Sequence, residues 1–336
     1  MKYYLTILLI CHSTCFIAQS NLADSYQIAY EKLDSMICNK SQLNLKKAIY
    51  TTENAYYDGK LNYESFERLL QQYASFSRNL SEHPLITYNY PDYHSVNTHA
   101  AIFQMMTDTI PVYVNDSTIA THLPMYYNFD DYAGQQNWEN MFVSTLMVTH
   151  KGNCHSLPLL YKLIAEELGE KAWLSLAPNH FYIRLHNKAN GWYNTELTSG
   201  QFPTDAWIKA SGYVHLDAIK SGMYMDTLSI AESIAVCMID LAEGYRHKYP
   251  ETYHLAFVLK CCNRALDIFP DYINAMLLKA ETLLTISQTE KDHKAFEEAE
   301  QLYARIHKLG YRKMPEAMYL KWLSSLQQAK GMYKWK

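Results

Sequence analysis

The stretch Gly152 to Gly200 reads GNCHSLPLLYKLIAEELGEKAWLSLAPNHFYIRLHNKANGWYNTELTSG. Leu157, Leu160, Ile164 and Leu168 recur at helical spacing, which predicts a helix from about Cys154 to Leu168. Pro158 is costly inside a helix but tolerated in a first turn, where backbone donors lack partners anyway, so it pins the helix start close to Cys154. Gly169 fits a left-handed C-terminal cap. Two strands are expected next, Lys171 to Ala177 and His180 to His186, with a third from Trp192 to Thr198 after the turn-rich Asn187 to Gly191. The two-residue strand period puts His180, Tyr182 and Arg184 on one face, and Trp192, Asn194, Glu196 and Thr198 on one face of the returning strand. A three-residue hairpin loop is expected to set Glu196 opposite His180, and a five-residue loop one diagonal step away.

A thiol at a helix N-terminus meets the positive end of the helix dipole, which favours thiolate. In this arrangement Cys154 is the candidate nucleophile and His180 the proton shuttle. Glu196 is placed to accept the other imidazole N–H and fix its tautomer. Each has a plainer alternative: an inert buried thiol, a hydrogen-bonded core histidine, a surface carboxylate. His150 and His155 flank Cys154, but no second cysteine or carboxylate falls at ligand spacing, so no metal is expected. Among Gln135, Gln136, Asn137 and Trp138, one group is a candidate to complete an oxyanion hole with the Cys154 backbone N–H.

The order Cys154 on a helix, His180 on a strand and Glu196 on the next resembles the core of the transglutaminase-like superfamily. The acid motif there runs tryptophan, three residues, aspartate, one residue, threonine; this chain has Trp192, Glu196 and Thr198, with glutamate replacing aspartate. The Gly152-Asn153 start and the turn Pro178-Asn179-His180-Phe181 are most similar to the SirB-type branch of bacterial proteins, which carry tetratricopeptide repeats after the core. The resemblance spans about 130 to 200. It implies an α+β, papain-like fold and cysteine-dependent acyl transfer on a protein or peptide, needing no cofactor. Many SirB-type relatives lack the cysteine, which implies the alternative of a catalytically inactive protein-binding scaffold.

Outward from this core, residues 21 to about 80 read as helices, with Tyr26, Ala29 and Leu33, then Phe66, Leu70 and Tyr73 in register, and a turn at Asp58-Gly59. From about 81 to 130, Pro84, Pro91, Pro111 and Pro124 predict loops and a few strands, among them Ile110 to Val114. Asn137 to Val148 reads as one helix. From about 227 the chain is all-helical, with helices near Ser229–Tyr245 and Tyr253–Phe269. Ala265, Pro270 and Ala280 are spaced as in a tetratricopeptide repeat, and Ala299, Tyr303 and Ile306 form a partial copy after a polar linker, Ser287 to Lys294. Such repeats offer a protein-binding surface; an ordinary helical bundle is the plainer reading.

The first residues predict a signal peptide over 1–19. Lys2 supplies the positive end, Tyr4 to Ile10 the apolar stretch, and Ala18-Gln19-Ser20 the cleavage zone. Bulky Ile10 before Cys11 disfavours a lipid anchor, so a periplasmic or extracellular destination is expected. The expected domains are then 20–222, transglutaminase-like with a helical extension, and 223–336, tetratricopeptide-like. Removing Lys2 takes the formal net charge from −4 to −5, with no basic stripe for nucleic acid and no span for a membrane. Seven cysteines become five once Cys11 and Cys15 are removed, so at least one thiol is unpaired within the chain. The 29 tyrosines are scattered, as expected for semi-buried packing rather than one aromatic binding face.

Overall fold

The computed structural model describes residues 24–39, 43–114, 117–250 and 254–315, with 317, 318, 320, 321 and 324. The expected signal peptide, with Cys11 and Cys15, lies outside the described residues. The fold is mixed α+β and mostly helical, with twelve helices and small antiparallel sheets among the described residues. The helices that matter below are α1 (24–38), α2 (Leu45–Tyr56), α3 (Tyr63–Ser81) and α4 (Tyr93–Thr107). Hairpin β1–β2 (Ile110–Val114, Ser117–His122) is followed by a short parallel pair, β3 (Tyr126–Tyr127) with β4 (Lys151–Gly152), whose connection contains α5 (Val143–Thr149). The segment quoted above supplies α6 (Ser156–Glu167), β5 (Trp173–Ala177), β6 (His180–Asn187) and β7 (Gly191–Thr195), the strands forming one antiparallel sheet. Helices α7 (Asp205–Ser211) and α8 (Leu216–Lys220) follow, then α9 (Ile230–Lys248), α10 (Leu255–Ile268), α11 (Ile273–Glu290) and α12 (His293–Lys308).

Helix α6 is held at both ends. Gly169 closes it at φ +76°, and Glu170 N–H returns to Ala165 O at 2.8 Å, as in a Schellman cap. Pro158 falls in its first turn. Its apolar face packs on the sheet and on α3, α4 and α5. The β5–β6 turn is Pro178-Asn179, with Asn179 at φ +53°, the left-handed second position that a type II turn requires. Outside β5, Met225 N–H and Leu228 N–H donate to Leu176 O and Leu174 O, both at 2.8 Å, so this edge is covered.

Four sequence expectations need correction. The β6–β7 loop has three residues, but Asn187 pairs with Gly191, so His180 is in register with position 198 and Glu196 lies one diagonal step away. Parity still keeps both side chains on one face, because register moves in pairs on each face. The 81–130 region contains α4, which the flanking prolines hid. Its Asn97, Ala101, Ile102, Met105 and Met106 are buried on several sides, so it shows little amphipathic stripe. The expected helix from Asn137 to Val148 is interrupted at extended Phe142, between a 3-10 turn (Trp138–Met141) and α5. The break is stabilised from afar: the Glu53 carboxylate on α2 accepts the N–H groups of Val143 (2.7 Å) and Ser144 (3.0 Å), capping α5. Finally, the polar Ser287–Lys294 linker is mostly helix. It shortens to Lys291, left-handed at φ +55°, and Asp292, which caps α12.

The C-terminal helices pack in sequential pairs, α9 on α10, α10 on α11 and α11 on α12, with Ala265, Ala280 and Ala299 fully buried at the contacts. Helix α2 packs on α9, and one hydrophobic cluster runs from Tyr26 to Ile306. Burial pushes Glu53 up to about 7, against the pull of the Ser144 and Val143 donors. The folded state therefore holds this proton more tightly than the unfolded chain. Its stabilising contribution is full below about 4.5 and declines as pH rises through about 7. Urea midpoints from pH 5 to 8 are expected to fall with pH more steeply in the native chain than in Glu53→Gln.

Candidate functional site

Regular α6 begins at Ser156, but Leu157 N–H already donates to Asn153 O at 3.1 Å, so Cys154 lies in the leading turn of the helix. The turn is locked by its neighbours. Asn153 Oδ1 accepts the N–H groups of His155 (3.0 Å) and Ser156 (3.1 Å), and Ser156 Oγ accepts Asn153 N–H at 3.1 Å. This is a reciprocal cap built from Asn and Ser three residues apart. The Asn153 amide nitrogen also donates to Tyr132 O at 3.1 Å, and Ser156 Oγ to Asn140 O at 3.2 Å. Asn153 and Ser156 are both fully buried, and a Cβ on Gly152 would stand 2.4 Å from Ser156 Oγ. Only glycine fits that approach.

Cys154 itself is partly exposed, and its Sγ donates to Asn179 O at 3.7 Å. That carbonyl belongs to the turn that presents His180, whose imidazole is electrostatically coupled to the Cys154 side chain. On its other side, His180 Nε2 contacts Glu196 Oε2, while Glu196 Oε1 accepts Thr198 N–H at 2.8 Å. Glu196 sits just past β7, where reciprocal bonds with Gln201 (2.8 and 3.0 Å) close a turn. His180 is 6 % exposed and Glu196 2 %. Burial alone would depress the imidazole pKa, but the Glu196 charge and the Cys154 side chain raise it to about 10. Burial likewise opposes ionisation of Glu196, yet His180 and the Thr198 donors hold its carboxyl below the usual range. At neutral pH the pair is imidazolium and carboxylate, with the sulfur beside the imidazolium.

All three candidate residues therefore meet at one place. The neighbouring histidines serve other contacts. His155 is turned away from the sulfur toward α9, with Nε2 at 3.1 Å from Asp240 Oδ2, and burial is more than offset by Asp240, raising it to about 9. His150 bonds Leu123 O and the Tyr73 hydroxyl. Of the oxyanion candidates, the N–H groups of Gln136 and Asn137 are taken by Asp131 (3.1 and 2.8 Å), and Trp138 stacks on His247 with ring centroids 3.9 Å apart. The remaining thiols divide cleanly: Cys237, Cys261 and Cys262 are buried, Cys38 is exposed beside Arg264, and all five described cysteines are free. Sequence reading missed Asn153, Ser156 and Asp131 as organisers of the cysteine turn. The Asn-x-x-Ser spacing was the available signal for the first two.

No family model matches this chain, and no curated protein or solved structure matches it. No helix among the described residues is long and apolar enough to cross a membrane.

Proposed function

We propose that this chain is an exported, transglutaminase-like, cysteine-dependent acyl-transfer enzyme acting on a protein or peptide carboxamide. The observation that carries the reading is the convergence of Cys154, His180 and Glu196, with Cys154 partly exposed and the other two buried. Cys154 sulfur attacks the carbonyl carbon, and a C–S bond forms. The C–N bond breaks as His180 delivers a proton to the departing nitrogen, leaving a thioester and a neutral imidazole. Water then attacks the thioester carbon and loses its proton to His180, and the C–S bond breaks, releasing a carboxylic acid and restoring the Cys154 thiolate beside the imidazolium, as in a peptidase or amidase. An amine in place of water gives a new amide, as in a transglutaminase. Glu196 holds the ring and balances its charge throughout. Water needs no binding site, which favours hydrolysis. Export rests on the sequence of residues 1–19.

A second reading is favoured by the pairwise packing of α9 to α12, which suits tetratricopeptide-like repeats that hold a protein partner. In that case the core would bind a peptide without turning it over. Incubation with glutamine-containing peptides, quenched in acid and analysed by intact mass, separates the two. The enzyme reading expects an acyl adduct on Cys154 with loss of ammonia, absent in Cys154→Ala. Peptide binding without adduct or product in the native chain would reject it.

A further inference from the structure

Behind the His180–Glu196 pair lies a small, mostly apolar recess lined by Ala177, Pro178, Trp207, Ile208 and Met314 together with the pair itself. Four of these five come from the sheet turn and α7. Met314 comes from beyond α12, more than a hundred residues later in the chain, and is 5 % exposed although it follows the last long helix. The route it takes is fixed. Gly310 adopts φ +97°, and a Cβ there would stand 2.4 Å from Ala218 N and 2.8 Å from Asp217 Cβ, so the backbone runs directly against α8. Ser221 Oγ donates to Leu309 O at 3.1 Å, and Tyr311 N–H returns to Ile306 O at 3.2 Å. Lys313 and Pro315, on either side of Met314, are exposed; only Met314 turns inward.

We propose that Leu309–Met314 is a strap that makes the helical end of the chain part of the candidate active site, with Met314 as a positioning residue that closes the recess and keeps water from the His180–Glu196 pair. An ion pair in a dry, apolar setting interacts far more strongly than a hydrated one. The groups facing His180 are few: Glu196 from beyond β7, Cys154 from the leading turn of α6, and Tyr182 stacked on its own strand with centroids 6.5 Å apart. The α7 and strap residues facing the recess, Trp207, Ile208, Ser211, Gly212 and Met314, bring no ionisable group. Water admitted there would therefore act on the pair directly. Its consequence for turnover rests on the acyl-transfer reading; the sealing does not.

The test uses the full chain carrying Met314→Gln, Met314→Ala and Met314→Leu, with folding checked by circular dichroism. The His180 imidazole is followed by NMR across pH and assigned with His180→Asn. Sealing by Met314 expects the His180 midpoint to shift by at least about one pH unit in Met314→Gln, by less in Met314→Ala, and to return in Met314→Leu. If either polar or truncated variant folds and leaves the midpoint unchanged, the strap has no role at the pair. Cys154 alkylation by iodoacetamide is measured on the same samples. A moved midpoint with alkylation that never depended on His180 would keep the strap and reject the enzyme reading.

Discussion

Replacing His180 with alanine is expected to slow alkylation of Cys154 at pH 7 by about 10- to 30-fold, because an ordinary thiol is only a few per cent thiolate at that pH. The measurement is iodoacetamide labelling, with the Cys154 peptide quantified separately by mass spectrometry. The exposed Cys38 provides an internal control, because its neighbours are Asp34 and Arg264 rather than the site. Its rate should be unchanged. The expectation follows from placing an imidazolium beside the thiol of a partly exposed cysteine while a buried carboxylate keeps the ring charged. A Cys154 that labels at the Cys38 rate in the native chain, with no response to His180→Ala, would leave the three residues as packing and remove the enzyme reading.

The second large effect concerns Glu196. Truncating it to alanine leaves a buried imidazole without its counter-charge, and breaking a buried pair from one side costs about 3–5 kcal/mol. The cost should depend on pH in a defined window. Glu196 is held below its ordinary value of 4.5, so its stabilisation is present above about 4.5 and is lost as pH falls. His180 is raised from 6.5 to about 10, so its share is complete below about 6.5 and is lost as pH rises through about 10. The difference in unfolding free energy between native chain and Glu196→Ala should therefore be greatest near pH 5 to 6.5 and shrink toward pH 10. Glu196→Gln keeps an acceptor for the ring N–H and should lose less stability than alanine, while still slowing Cys154 labelling. A difference that stays flat from pH 5 to pH 10 would show that the two side chains are not charged together.

Much of the candidate site was legible from spacing. Pro158 fixed the beginning of α6, Gly169 its end, and alternation put His180 and Glu196 on one face. Those features are local: they depend on bond geometry, on the missing proline N–H and on the two-residue strand period. Which of the two expected registers, opposite or diagonal, is adopted was not legible, because it depends on which residues close the β6–β7 loop. Helix α4 escaped notice because burial on several sides erases the polar–apolar rhythm that marks a surface helix. The interruption at Phe142 was equally hidden, since the carboxylate that stabilises it, Glu53, is about ninety residues earlier in the chain.

By itself, then, the sequence determined a mixed α+β chain, a cysteine in the first turn of a helix, and a histidine and a glutamate sharing one face of a hairpin. Short-range sterics and periodicity carry that information. Only the tertiary structure decided that the three side chains converge, that His155 serves Asp240 instead of the sulfur, and that Met314 reaches the pair from the far end of the chain. Those outcomes depend on burial and on contacts between residues remote in sequence, where the local dielectric and the final partner of each charge are set by the fold as a whole.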